Sequence, residues 1–129
     1  MDAEKALIDK LLTAPAVTAI VGTRLFFGQA PPNPGLPYVV LWRVGAPRVY
    51  SLSGPTGLAH ARIQFDLWAS TAKQARQVGN EIRAVLSGMR EQVGDISLQC
   101  VLLLNELDAY EDAPELLRVT QEYRVWYQE

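Results

Sequence analysis

The sequence predicts an α+β fold, a two-layer domain in which one twisted, mostly antiparallel sheet carries two main helices packed on one face. Three observations carry this. Segments 2–14 and 70–87 repeat apolar residues at helical spacing, each with a single apolar stripe. Segments 38–44, 58–68, 96–104 and 116–127 carry the alternation or β-branched and aromatic content of strands. Their order, helix then strands, helix then strands, places both helices on one side of a single sheet.

The 129 residues, 49% hydrophobic and 20% charged, form one expected domain, 1–129. Such a chain buries roughly two-thirds of its unfolded surface, enough for a core without a disulfide or metal. No apolar run reaches the ~20 residues of a membrane span, so no membrane partner is expected. The opening Met1-Asp2-Ala3-Glu4-Lys5 lacks the basic-then-apolar pattern of a signal peptide. One cysteine, Cys100, has no internal partner, which points to a reducing cytoplasm.

The first helix has its stripe on Leu7, Ile8, Leu11 and Leu12, a cap at Asp2 and a stop before Pro15. Val17, Ile20 and Val21 predict a further helical turn closed by Gly22, and Leu25-Phe26-Phe27 a short strand. Four of the eight prolines fall in 29–37, which predicts a stiff extended connection. A strand follows from Tyr38 to Val44, extending past Gly45 and Pro47 as an edge or bulge, and 51–57 reads as a turn-rich loop tip.

The strongest strand signal is 58–68. Ala59, Ala61, Ile63, Phe65 and Leu67 share one face; His60, Arg62, Gln64, Asp66 and Trp68 share the other. In the second helix Thr71 and Gln74 have capping-box spacing, Ala75, Val78, Ile82, Val85 and Leu86 form the buried stripe, and Gly88 ends it. The strand at 96–104 sets Ile96, Leu98, Cys100, Leu102 and Leu104 on one side; with Val101 and Leu103 on the other it reads as central. An acidic stretch follows, part of it a strand near 107–111. In the last strand Leu117, Val119, Gln121, Tyr123, Val125 and Tyr127 face one way, Arg118, Thr120, Glu122, Arg124 and Trp126 the other.

Net charge is −2, against a nucleic-acid binder, but it is unevenly spread. Residues 1–90 balance at +5 and residues 91–129 at −7. Either the fold neutralises this within itself or neighbouring subunits do.

Catalytic groupings are sparse. His60 is the single histidine; Asp66, six positions along, lies about 20 Å away on the same strand, too far to orient it. Cys100 reads as a small core hydrophobe. Glu106, Asp108, Glu111 and Asp112 lack the spacing and glycine of a calcium loop. No phosphate-binding or dinucleotide motif is present. Trp42, Trp68 and Trp126 lack the basic groove that would make them a single-strand platform. No enzyme activity and no cofactor are expected.

The ordered segments Pro37-Tyr38-Val39-Val40-Leu41-Trp42, Tyr50-Ser51-Leu52-Ser53-Gly54-Pro55-Thr56-Gly57-Leu58, Ala61-Arg62-Ile63-Gln64-Phe65-Asp66-Leu67-Trp68-Ala69 and Tyr123-Arg124-Val125-Trp126-Tyr127 resemble the tail completion, or tail terminator, proteins of long-tailed bacteriophages and related prophages. The opening helix with Val17-Thr18-Ala19-Ile20-Val21-Gly22 and Arg24 is similar too. The resemblance implies a sheet with helices packed on it and a structural role without cofactor or catalytic residues. It implies a ring, typically of six copies, at the head-proximal end of the tail tube, with the tube protein and a head connector as partners. Such a protein assembles in the host cytoplasm and ends in the virion. The alternatives are a head completion or connector component and, more remotely, a small ligand-binding or enzymatic domain. In that setting the expected contact residues are Arg62, Gln64 and Asp66 on the polar sheet face, Tyr50 and Ser53 on the hairpin, and the acidic Glu106, Asp108, Glu111 and Asp112 facing a basic neighbour.

Overall fold

The computed structural model describes residues 2–111 and 116–129, with backbone alone for Tyr110 and Glu111. Helices α1 (Ala3–Leu12) and α2 (Pro15–Val21) open the chain. Asp2 caps α1 by accepting from the Lys5 amide at 2.9 Å, and Gly22 closes α2 at φ +60°, a conformation costly for other residues. Strand β1 (Leu25–Phe27) follows, then β2 (Tyr38–Gly45), β3 (Arg48–Ser51) and β4 (Gly54–Ala69). Helix α3 (Ala72–Leu86) precedes β5 (Glu91–Val93), β6 (Ile96–Glu111) and β7 (Leu116–Gln128). Thr71 caps α3 by accepting from the Gln74 amide at 3.1 Å.

The sheet order is β1-β2-β4-β7-β6-β5, with β3 added beside β4 where β2 has bulged away. Only β1–β2 is parallel; the other pairings are antiparallel, as expected. The long strands β4 and β7 pair over twelve residues at the sheet's centre, from Leu58↔Gln128 to Ala69↔Leu117. Their core-facing alternation is the one the sequence predicts: Ala59, Ala61, Ile63, Phe65 and Leu67 are buried, as are Val119, Gln121, Tyr123, Val125 and Tyr127. Leu7 and Leu11 of α1, Val17 and Val21 of α2, and Ala75, Val78, Ile82 and Leu86 of α3 complete the same core. Each leucine-sized side chain so buried contributes roughly 1.5–3 kcal/mol.

A polar relay crosses this layer. Gln121 Nε2 donates to the Gly79 carbonyl at 3.0 Å and to Glu106 at 2.6 Å; Gln121 Oε1 accepts from the Tyr123 hydroxyl at 3.0 Å. Burial, reinforced by Glu106, pushes the Tyr123 phenol well above its usual range, against an opposing pull from Arg83. At the far end Arg24 ties the proline-rich connection down, its Nε donating to the Pro37 carbonyl at 2.8 Å and its Nη2 to that of Ile20.

Two expectations need correction. The tip at 51–57 is tighter than expected: β4 begins at Gly54, and Leu52-Ser53 alone turn the β3–β4 hairpin. Strand β6 is not central along its length, because β5 covers only Ile96, Leu98 and the residue between them. Beyond Leu98 its outer edge has no partner strand among the described residues. Register shifts at Leu98/Cys100 and Leu103/Asn105 also turn the strand over. Val101 therefore faces the core, while Leu102, Leu104 and Leu107 are 45%, 43% and 53% exposed. Cys100, expected in the core, sits half-buried opposite Trp126 on the outer face.

Candidate interaction surface

Among the described residues no helix packs on the sheet's second face. Its side chains come from β2, β4 and β7, and period-two geometry sets them in rows across the strands. One row joins Tyr38, Trp68 and Arg118; the next Val40, Asp66 and Thr120; the next Trp42, Gln64 and Glu122; then Gly45, Arg62 and Arg124; and then His60 and Trp126.

Most polar groups on this face bond to one another. Arg62, set opposite the like-charged Arg124, leans to Glu122, its Nε donating to the carboxylate at 3.2 Å. Gln64 Nε2 donates to Asp66 at 3.1 Å, and the Thr120 hydroxyl donates to the same oxygen at 2.8 Å. The aromatic rings pair along the rows. Tyr38 stacks on Trp68 at 6.3 Å between centroids, and the Arg118 guanidinium lies 5.3 Å from the Trp68 centroid. His60 stacks on Trp126 at 4.4 Å between centroids, and among the described residues no carboxylate is bonded to it.

The remaining expected contact residues lie elsewhere. Tyr50 is 69% exposed on β3, beside the fully exposed Leu52; Ser53 bonds within the hairpin turn to Ser51 at 3.0 Å. Glu106 turns to the helix side and meets Gln121, and Asp108 pairs with Arg76 of α3 at 2.6 Å. Glu111 ends β6, and Asp112 lies outside the described residues. The structure thus gathers Arg62, Gln64 and Asp66, with the hairpin and the acidic strand as separate surfaces.

Part of the charge asymmetry is met inside the fold. Lys10–Glu91, Arg48–Glu129, Arg62–Glu122 and Arg76–Asp108 each join the basic first part to the acidic last part. Such exposed pairs contribute at most about 1 kcal/mol each, so they set charge balance more than stability.

Sequence reasoning missed the exposed leucines of β6, since the alternation alone gives no sign of two bulges. Their apolar row along a free strand edge marks a surface suited to another chain. Among the described residues no group of His, Cys, Asp and Glu is placed to hold a metal ion. No helix there is long and apolar enough to cross a membrane.

Among the described residues the sheet offers a strand edge without a partner strand, exposed apolar side chains and an exposed hairpin tip, the features of a contact-making surface. The family comparison makes this specific. Residues 5–128 match the family model described as tail completion protein gp17, and the chain belongs to that family, a phage tail assembly protein. A solved chain of the virion of a native gene transfer agent particle shares the fold with a TM-score of 0.83 at 16% identity, over 98% of this chain and 95% of that one. A second solved chain, itself without a functional name, superposes with a TM-score of 0.61 at 13% identity, over 97% and 96% of the two chains. No curated protein sequence matches this one.

Proposed function

We propose that this chain forms a closed ring at the head-proximal end of the tail tube. The ring ends tube polymerisation and gives the head connector its attachment surface. Family membership over 5–128 is the observation that carries this reading. The ring has typically six copies, and the chain acts without catalysis or cofactor. It assembles in the host cytoplasm and stays at the head–tail junction of the virion.

A ring needs a heterologous contact, in which one patch meets a different patch of the next copy. The free edge of β6 with Leu102, Leu104 and Leu107 supports one side of that contact. The hairpin tip with Tyr50, Leu52 and Ser53 supports a reach toward the tube or the adjoining ring. Arg62, Gln64 and Asp66 belong to the open sheet face, and Asp108 adds negative charge near the β6 edge, with the acidic sequence continuing through Glu111 and Asp112; complementary charge there fixes register and speeds encounter.

The test is to add the purified protein to its polymerising tail tube protein and measure tube lengths by negative-stain microscopy. Shortened tubes capped at one end are expected, with capping weakened by Leu102→Lys/Leu107→Lys. Lengths unchanged at saturating protein would overturn the reading.

A further inference from the structure

The open sheet face holds a hollow of about 330 Å³ lined by Tyr38, Trp42 and Trp68, with Asp66 and Val40 side by side between those rings and residues 28–30 as its third wall. Asp66 is only 6% exposed, yet no cation lies within ion-pair distance of it among the described residues. Its oxygens receive neutral donors alone: Thr120 at 2.8 Å, and Gln64 at 3.1 and 3.3 Å. A buried carboxylate without a counter-ion is costly, and hydrogen bonds from an alcohol and an amide offset only part of that cost. Meanwhile Trp42 is left 47% exposed beside it.

An anion between aromatic faces is the complement of a planar cation. Indole and phenol faces attract a cation through the ring quadrupole, and a guanidinium adds flat stacking and two parallel hydrogen bonds to a carboxylate. A lysine ammonium is more strongly hydrated and makes neither contact as well. We infer that this hollow is a receptor for an arginine side chain presented by a polypeptide partner, with Asp66 as its charge partner and the exposed Trp42 as its stacking wall, the Trp68 faces being taken by Tyr38 and Arg118. The site does not depend on which end of the tail the protein occupies, so its test stands apart from that of tube termination.

The probe is Nα-acetyl-arginine amide, with the citrulline analogue as its uncharged isostere. The readout is the set of indole N–H resonances of the ¹⁵N-labelled protein. Saturable shifts at Trp42 and Trp68 are expected with the arginine compound, while Trp126, on a separate row, stays unmoved. Asp66→Asn weakens binding about tenfold through loss of the charge-assisted contact. Should Asp66→Asn fail to fold, Trp42→Ala, at an exposed position, decides in its place and weakens binding several-fold. Equal shifts with citrulline, no saturable shift, or unchanged affinity in a folded Asp66→Asn or in Trp42→Ala would overturn the inference.

Discussion

Gly79→Val is expected to cost about 3 kcal/mol of stability and to lower the melting temperature by roughly 10 °C. Gly79 lies within α3, where helix propensity alone makes alanine about 1 kcal/mol better than glycine. Packing reverses that preference. A Cβ at this position meets Gln121 Nε2 at 3.0 Å, Leu67 at 3.4 Å and Glu106 at 3.6 Å. Gln121 has no room to retreat: it is fully buried and bonded to the Gly79 carbonyl, to Glu106 and to Tyr123. The valine methyls force the helix off the sheet or break the relay. Even Gly79→Ala should bring no gain, and denaturant titration checks both variants. An alanine variant more stable by the propensity value would show that the helix–sheet contact yields easily.

Glu4→Gln should stabilise the protein by about 1 kcal/mol at pH 8 and by nothing near pH 4. Glu4 is fully buried in the first turn of α1, and its carboxylate has no hydrogen-bond donor among the described residues. Arg43 Nε stands 3.5 Å away on a half-exposed side chain. Burial, with Asp2 adding to it, pushes the Glu4 carboxyl above its ordinary value; the nearby dipole of its own backbone amide and the Arg43 charge oppose the shift. The sign follows from linkage. Below the ordinary glutamate range both states are protonated and the residue contributes nothing. As pH rises, the unfolded chain gives up the proton first, so the folded state is progressively disfavoured until its own raised value is passed. The difference between wild type and Glu4→Gln therefore grows from acid to a plateau in alkali. Unfolding titrations at several pH values check this; a constant difference would contradict it.

How much of this was legible in the sequence depends on how locally each feature is encoded. The alternation from Ala59 to Leu67 and from Leu117 to Tyr127 is the direct imprint of a sheet with one buried face, and the helix caps at Asp2 and Thr71 are equally local. The course of β6 was not legible. Its leucine run satisfies either face, and only pairing with β7 decides where the bulges fall and which leucines are exposed. The role of Gly79 and the burial of Glu4 depend on what another element brings against them, so neither leaves a pattern in its own segment. At the candidate surface, Arg62, Gln64 and Asp66 were recognisable as a polar face. The aromatic walls around Asp66 come from β2 and gather only once β2 and β4 pair with Val40 opposite it. The charge imbalance was visible as a total, while the intramolecular pairs that meet part of it, such as Arg76–Asp108, required the fold.

The central claim, that this tail completion protein ends the tube and readies it for the head, is tested most directly by electron microscopy of particles from cells lacking its gene, with tail length scored. The account predicts overlong tubes unattached to heads. Tails of normal length beside filled, tailless heads would contradict it and move the protein to the head side of the joint.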